Sequence, residues 1–234
     1  MKRPLWLSAD QQPVFPPARE IDATPDGLVA LGGALDPATL VEAYGKGVFP
    51  WEGESPIPWF SPDPRCILVP SDFRASRSLR KFGRSGVLRV TVDGCFRRVM
   101  QRCGSIDRRD QQGTWINPEM IDAYTVLHEQ GVAHSVEVWQ GDELVGGIYG
   151  LAIGAAFFGE SMFAARRDAS KLGLMRLCAF LADSGFHFVD CQQDTAHLIS
   201  LGAITIRRCC YLDRLDAALE CSDRWTAIGG QALE

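Results

Sequence analysis

No stretch of this 234-residue chain stays apolar for the roughly 20 residues that a membrane-spanning helix needs. The opening MKRPLWLSADQQPVF also lacks the apolar core and small-residue cleavage site of a secretory leader. The expectation is a soluble, cytoplasmic protein with no membrane partner. Histidine is scarce, with four residues at 128, 134, 187 and 197, and no two of the eight cysteines form a CxxC pair. The sequence therefore spells out no metal site, and the cysteines are expected to be reduced and mostly buried. No internal repeat and no low-complexity tract is present, which excludes solenoids and disordered arms. Proline almost vanishes after residue 65, since 11 of the 13 lie before it.

What is present divides at that point. Residues 1–65 read as a small, irregular N-terminal domain, and residues 66–234 as a second, larger one. The first contains one clear helix, in which Asp36 caps, Pro37 takes the first turn and Leu40, Ala43 and Tyr44 form the apolar face. The aromatic segment GVFPWEGESPIPWFSPDPR after it reads as a turn-rich loop. The net charge is −5, yet residues 74–102 hold nine basic residues and one acid, Asp93. That window is +8 on a body of −13, which suits a polyanion at one face. A solvated helix face is the structural alternative.

Beyond residue 85 the pattern alternates. VLRVTV is a strand, and Asp93 is expected to cap the helix after it. Asn117-Pro118 opens a helix, and three antiparallel strands follow from HSVEVW through ELVGGIYGL to AAFFGESMF. An amphipathic helix over 170–183 precedes the strand FHFVD, a short helix, the strand AITIR and a last helix. This order predicts a mixed α/β, α+β fold. It resembles the GNAT-type acyltransferase fold, in which an acyl donor enters where the sheet splays open. Coenzyme A is usually gripped there by a glycine-rich loop at a helix N-terminus. The corresponding loop here, 164–171, has no glycine. An acyl-CoA-dependent N-acetyltransferase is the alternative reading that the fold order offers, and this glycine-free loop argues against it.

The most pointed feature is a strand that ends in polar residues, FHFVDCQ. Residues two apart on a strand share a face, so Asp190 and Gln192 are expected to look into one cleft with Cys191 turned away. A carboxylate and an amide so placed can accept hydrogen bonds from a donor in the cleft. Asp190 capping the turn that follows is the structural alternative. A Cys191 nucleophile is disfavoured because a strand carries His187, its nearest base in sequence, some ~13 Å away.

Several longer segments resemble one family. They include GLVALGGALDPATLVEAYGKGVFPW, WFSPDPR, SRSLRKF, GTWI and AHSVEVW. ELVGGIYGLAIGAAFFGESMF, ASK, VDCQ and HLISLGA complete the set. Together, over residues 25–210, they resemble the leucyl/phenylalanyl-tRNA–protein transferases. The resemblance implies a GNAT-like C-terminal domain, no metal and no organic cofactor. It implies transfer of leucine or phenylalanine, and methionine less well, from aminoacyl-tRNA to proteins beginning with arginine or lysine, marking them for N-degron degradation. By the same resemblance, Asp190, Gln192 and Glu160 are catalytic. Trp51 and Trp115 hold the aminoacyl-adenosine, and Ile148, Leu174, Leu177 and Leu181 wall the pocket for the donor side chain. Arg77, Arg80, Lys81 and Arg84 meet tRNA phosphates. A monomer is expected.

Overall fold

The computed structural model describes residues 4–9, 15–16, 18–20, 27–51, 56–105, 116–225 and 232–233. The segment before residue 65 is more regular than its prolines suggest. It forms a small sheet from β1 (Leu5–Leu7), β2 (Leu28–Gly32), β3 (Phe49–Pro50) and β4 (Pro58–Phe60), in the order β1-β2-β4-β3. The aromatic segment expected to be a loop therefore supplies two strands. They are two and three residues long, and each carries a proline at one end, which hides the period-two signal. Helix α1 (Pro37–Gly45) starts as expected, with Asp36 Oδ1 accepting from the Thr39 amide at 3.0 Å.

The second sheet has seven strands: β5 (Arg65–Leu68), β6 (Arg89–Val92), β7 (Ala133–Gln140), β8 (Glu143–Ile153), β9 (Ala156–Ala164), β10 (Phe188–Gln192) and β11 (Ile204–Ile206). Their order is β11-β5-β10-β9-β8-β7-β6. The mixed α/β class is as expected, but β5, four residues after a proline-rich run, was not anticipated. Helices α3 (Phe96–Ser105), α4 (Pro118–Glu129) and α7 (Arg208–Leu219) bury their apolar residues with α1 on one face of this sheet. Helix α2 (Arg77–Gly83) and the long α5 (Ala169–Asp183) cover the other, and the short α6 (Ala196–Ser200) follows β10. Close approach of these layers needs small residues on β8. A Cβ at Gly147 would lie 2.8 Å from the Phe163 ring and 3.0 Å from Val99 of α3.

Asp93 does not cap α3. It sits in the left-handed region at φ 56° and takes hydrogen bonds from His134 Nδ1 (2.8 Å), the Ser135 amide (2.8 Å) and Trp225 Nε1 (3.2 Å). The free amides before α3, Gly94 and Cys95, turn instead to the buried carboxylate of Glu137.

One detail of topology creates the site. Strands β9 and β10, joined through α5, pair in parallel, while every other pairing in this sheet is antiparallel. The β9–β10 ladder ends at Phe158–Asp190, yet β9 continues to Ala164 and β10 to Gln192. The strands part there, and a cleft opens between them.

Candidate active site

Two adjoining cavities occupy the parting. The larger, about 340 Å³, is lined by Phe49, Pro50 and Trp51 from the N-terminal sheet and by Glu160, Gln192 and Gln193 opposite. The smaller, about 120 Å³, is apolar and reaches toward α5, with Ile148, Leu174 and Leu177 in its wall. An engineered cavity of about 150 Å³ holds one benzene ring, so this pocket suits one apolar side chain. Glu160, Ser161, Met162, Cys191, Gln192 and Leu198 line both cavities.

At the junction, Gln192 Nε2 donates to Glu160 Oε1 at 2.7 Å. That bond uses the amide's donor end and leaves Gln192 Oε1 to accept from whatever enters the cleft. Glu160 is held in turn by Tyr124, whose hydroxyl lies 3.3 Å from Oε2 and 2.7 Å from the Tyr44 hydroxyl. Burial pushes Glu160 up to about 7, and the Asp190 charge adds to this, while hydrogen bonds from Tyr44, Gln192 and Tyr124 pull the other way.

Asp190 has no exposed surface. Its carboxylate is forked by Arg65, Nε to Oδ1 at 2.9 Å and Nη2 to Oδ2 at 2.7 Å, and accepts from the Tyr211 hydroxyl at 2.8 Å. Oδ1 also takes the Gln192 amide at 2.9 Å. That last bond supports a backbone in the left-handed region, φ 63°, where glutamine is uncommon. Arg65 is equally buried. It lies 4.7 Å from the Phe49 ring centre and 4.5 Å from that of Tyr211, and it reaches the Gly47 carbonyl at 3.2 Å. Burial works against its charge, but Asp190 and Tyr211 outweigh it, so its pKa lies above the usual range. One guanidinium therefore ties the Gly47–Trp51 wall to the turn that carries Gln192.

The sequence expectations are met unevenly. Asp190 and Gln192 do turn to the same side of β10, but only Gln192 reaches the cleft, because Asp190 is sealed beneath Arg65 and Tyr211. Cys191 is not turned away from the site. A bulge between Asp190 and Gln192 brings its half-buried thiol into the wall of both cavities. Ile148, Leu174 and Leu177 line the pocket, whereas Leu181 lies a turn further along α5, fully buried in core and outside both cavities. Trp51 lies on the rim of the larger cavity, edge-on to Phe60 at 5.3 Å. Trp115 lies outside the described residues. Sequence reasoning missed Arg65, Tyr44, Tyr124 and Tyr211. Arg65 and Tyr44 fall inside quoted segments, but nothing in their spacing announces a shared partner.

Arg77, Arg80, Lys81 and Arg84 are exposed on α2 and just past it. The helix backs onto α5 through Gly83, whose Cβ position would be 2.9 Å from Met175 and 3.1 Å from Leu172. The basic window does not form one face. Arg97, Arg98 and Arg102 belong to α3 across the sheet, where Arg97 pairs with Asp122 at 2.8 Å and Arg98 stands over Trp139. The fold also gathers Asp93, His128 and His134, with candidate ligand atoms within 4.8 Å of one another. Both His134 nitrogens are engaged, by Asp93 and by the Gly131 carbonyl at 3.0 Å, and His128 Nδ1 by the Ala133 carbonyl at 2.8 Å. These bonds tie the cluster into the fold.

Among the described residues no helix is long and apolar enough to cross a membrane. The family model described as Leucyl/phenylalanyl-tRNA protein transferase matches residues 67–216, and that of its N-terminal domain matches residues 33–63. A leucyl/phenylalanyl-tRNA–protein transferase of Anaeromyxobacter sp. (strain K) is 52% identical over 212 residues, covering 90% of each chain. One from Solidesulfovibrio magneticus is 52% identical over 218 residues, 93% of this chain and 87% of its own. Among solved structures, a GCN5-related N-acetyltransferase-like protein from Streptococcus suis gives a partial likeness. Its TM-score is 0.32 at 18% identity, over 71% of this chain and 62% of that one. An apolar pocket meeting a polar cleft at one amide has the form of a two-substrate site, and the sequence comparisons make the chain an enzyme of the transferase class. More narrowly, it belongs to the leucyl/phenylalanyl-tRNA–protein transferase family.

Proposed function

We propose that the protein transfers leucine or phenylalanine, and methionine less well, from aminoacyl-tRNA to the α-amino group of proteins that begin with arginine or lysine. Such transfer marks the acceptor for N-degron degradation, and a donor drawn from translation puts the reaction in the cytoplasm. The observation that carries this reading is the Gln192 amide, pinned by Glu160 with its oxygen free, where the apolar pocket meets the cleft.

The chemistry is aminolysis of an activated ester. The amine nitrogen attacks the ester carbonyl, the bond to the ribose oxygen breaks, and the amine gives up a proton. A terminal amine titrates near ~8, so a useful fraction is already neutral at physiological pH. Holding amine and ester in line supplies on the order of 7–11 kcal/mol in favourable cases, and this is the enzyme's main task. The donor side chain enters the apolar pocket against Ile148, Leu174 and Leu177, and Leu181 supports that wall from within the core. Trp51 offers an indole face for adenine, and the sequence expectation gives Trp115 the same task. Gln192 Oε1 accepts from the attacking amine. Asp190 touches no substrate; it acts as a positioning residue through the Gln192 backbone. Glu160 orients the Gln192 amide and, when ionised, favours a cationic acceptor terminus. Arg77, Arg80, Lys81 and Arg84 contact acceptor-stem phosphates, which position the tRNA without reading its sequence. The protein acts as a monomer and uses neither metal nor organic cofactor.

The test is transfer of labelled leucine from Leu-tRNA to a peptide beginning with arginine, against one beginning with alanine. Labelling of the arginine peptide is expected. Equal labelling of both, or of neither, overturns the reading.

A further inference from the structure

Strand β10 meets β5 with Gln192 opposite Cys66, and the bulge adds Cys191 to the same position. Two residues of one strand thus face one of the other, and antiparallel neighbours stand about 4.5–5.5 Å apart at Cα, within the span of a disulfide. Alternation sends both cysteines to one side. Cys66 and Cys191 join the cluster under α5, while Arg65, Ile67 and Asp190 occupy the opposite face. The Cys191 thiol donates to the Val189 carbonyl of its own strand at 3.8 Å. Exposure is asymmetric, since Cys66 has no accessible surface whereas Cys191 lines both cavities.

We propose that Cys66 and Cys191 form an oxidisable dithiol in the wall of the donor pocket, which a peroxide converts to a disulfide. The cleft admits the oxidant to Cys191 alone. Its sulfur attacks one peroxide oxygen, the O–O bond breaks, and Cys191 becomes a sulfenic acid as water leaves. The Cys66 sulfur then attacks Cys191 Sγ and expels the hydroxyl as a second water. Two thiols lose two electrons and two protons, and one peroxide becomes two waters.

The pair is poised for the second step. The neighbouring Cys191 thiol holds the Cys66 thiol below its ordinary range despite burial, so the inner sulfur is the readier thiolate. The Cys66 neighbour, with burial, holds Cys191 well above its range, which makes the first step the slow one. Closing the bond draws the Cys191 sulfur out of the pocket wall and fixes the bulge next to Gln192. Transfer is therefore lost on oxidation and regained on reduction. That consequence rests on the proposed function; the bond itself does not.

The full-length protein is treated with hydrogen peroxide, its remaining thiols are alkylated, and it is mapped by mass spectrometry. Transfer is measured in parallel, before and after dithiothreitol. A peptide pair linked through Cys66 and Cys191 is expected, with activity that falls and recovers. Cys66→Ala is expected to match the untreated enzyme, to form no link, and to lose activity that dithiothreitol does not restore once Cys191 is over-oxidised. Adjacent Cys209 and Cys210, with sulfurs 3.9 Å apart, are separated from this signal by the mapping. Peroxide that leaves Cys66 and Cys191 unlinked overturns the proposal, as does a link that leaves transfer untouched. A protein that links normally but shows no transfer even when reduced contradicts the proposed function and leaves the dithiol standing.

Discussion

Replacing Arg65 by methionine tests the buried network most directly. Methionine keeps much of the volume between Phe49 and Tyr211 but removes the charge and the fork. Asp190 keeps only the Tyr211 hydroxyl and the Gln192 amide, at zero exposure. Breaking a buried pair from one side costs about 3–5 kcal/mol, because the surviving charge stays desolvated and uncompensated. In a domain stable by about 5–15 kcal/mol this is a large fraction, and it corresponds to a fall in melting midpoint on the order of 10 °C. The measurement is urea unfolding at pH 7 for wild type, Arg65→Met, Asp190→Asn and the double variant. Because Asp190→Asn removes the stranded charge, the double variant is expected to lose less than the two single losses added together. Strict additivity, or an Arg65→Met loss within about 1 kcal/mol, would refute the account of Asp190 as a charge held by Arg65.

Other outcomes follow from the same geometry. Gln192→Ala should abolish most transfer with little loss of stability, while Asp190→Ala should lose both, since it leaves Arg65 unpaired; near-normal turnover in both would remove them from the mechanism. Neutralising Arg80 and Lys81 should weaken tRNA binding and flatten the slope of log affinity against log salt by roughly 1.4–1.8, from about 0.7–0.9 per lost phosphate contact, and an unchanged slope would clear α2 of that role. Glu160 titrates at about 7 in the fold, above the 4.5 of a free carboxyl. Between those values the folded state holds the extra proton, so stability should fall as pH rises through that window, and Glu160→Gln should remove that fall. Preference for an arginine-led peptide should in turn weaken as pH drops below about 7 in the wild type only, as competition between arginine- and alanine-led peptides would reveal.

Much of this was legible in the chain. Asp36 and Asn117 each cap the helix they precede, because a side-chain oxygen near a free amide is a local matter. The alternation of β7 and β8 likewise shows in sequence. Strand β5 did not, because four residues between two partners made later in the chain carry no period of their own. Asp190 looked like a cleft residue since alternation fixes only the side of a strand and says nothing of what covers it. Leu181 looked like pocket wall for a similar reason, as spacing puts it on the right stripe of α5 while depth puts it out of reach. The carboxylate–amide pair at 190 and 192 was legible; the arginine that orders it, 125 residues earlier, was not.

The placement of β5 between β11 and β10 also bears on how the molecule is made. Its neighbours in the sheet, β10 and β11, are synthesised more than a hundred residues after it, and Tyr211 is 146 residues beyond Arg65. On the ribosome, Arg65 therefore emerges long before the Asp190 carboxylate that receives it. Antiparallel strands β7, β8 and β9 join through short turns and can assemble early, whereas β5 must wait and then insert. The cleft is thus among the last parts to form, and a chain stopped short of β10 has neither a complete sheet nor Gln192 itself. A half-made copy cannot draw on the charged tRNA that its own synthesis still needs.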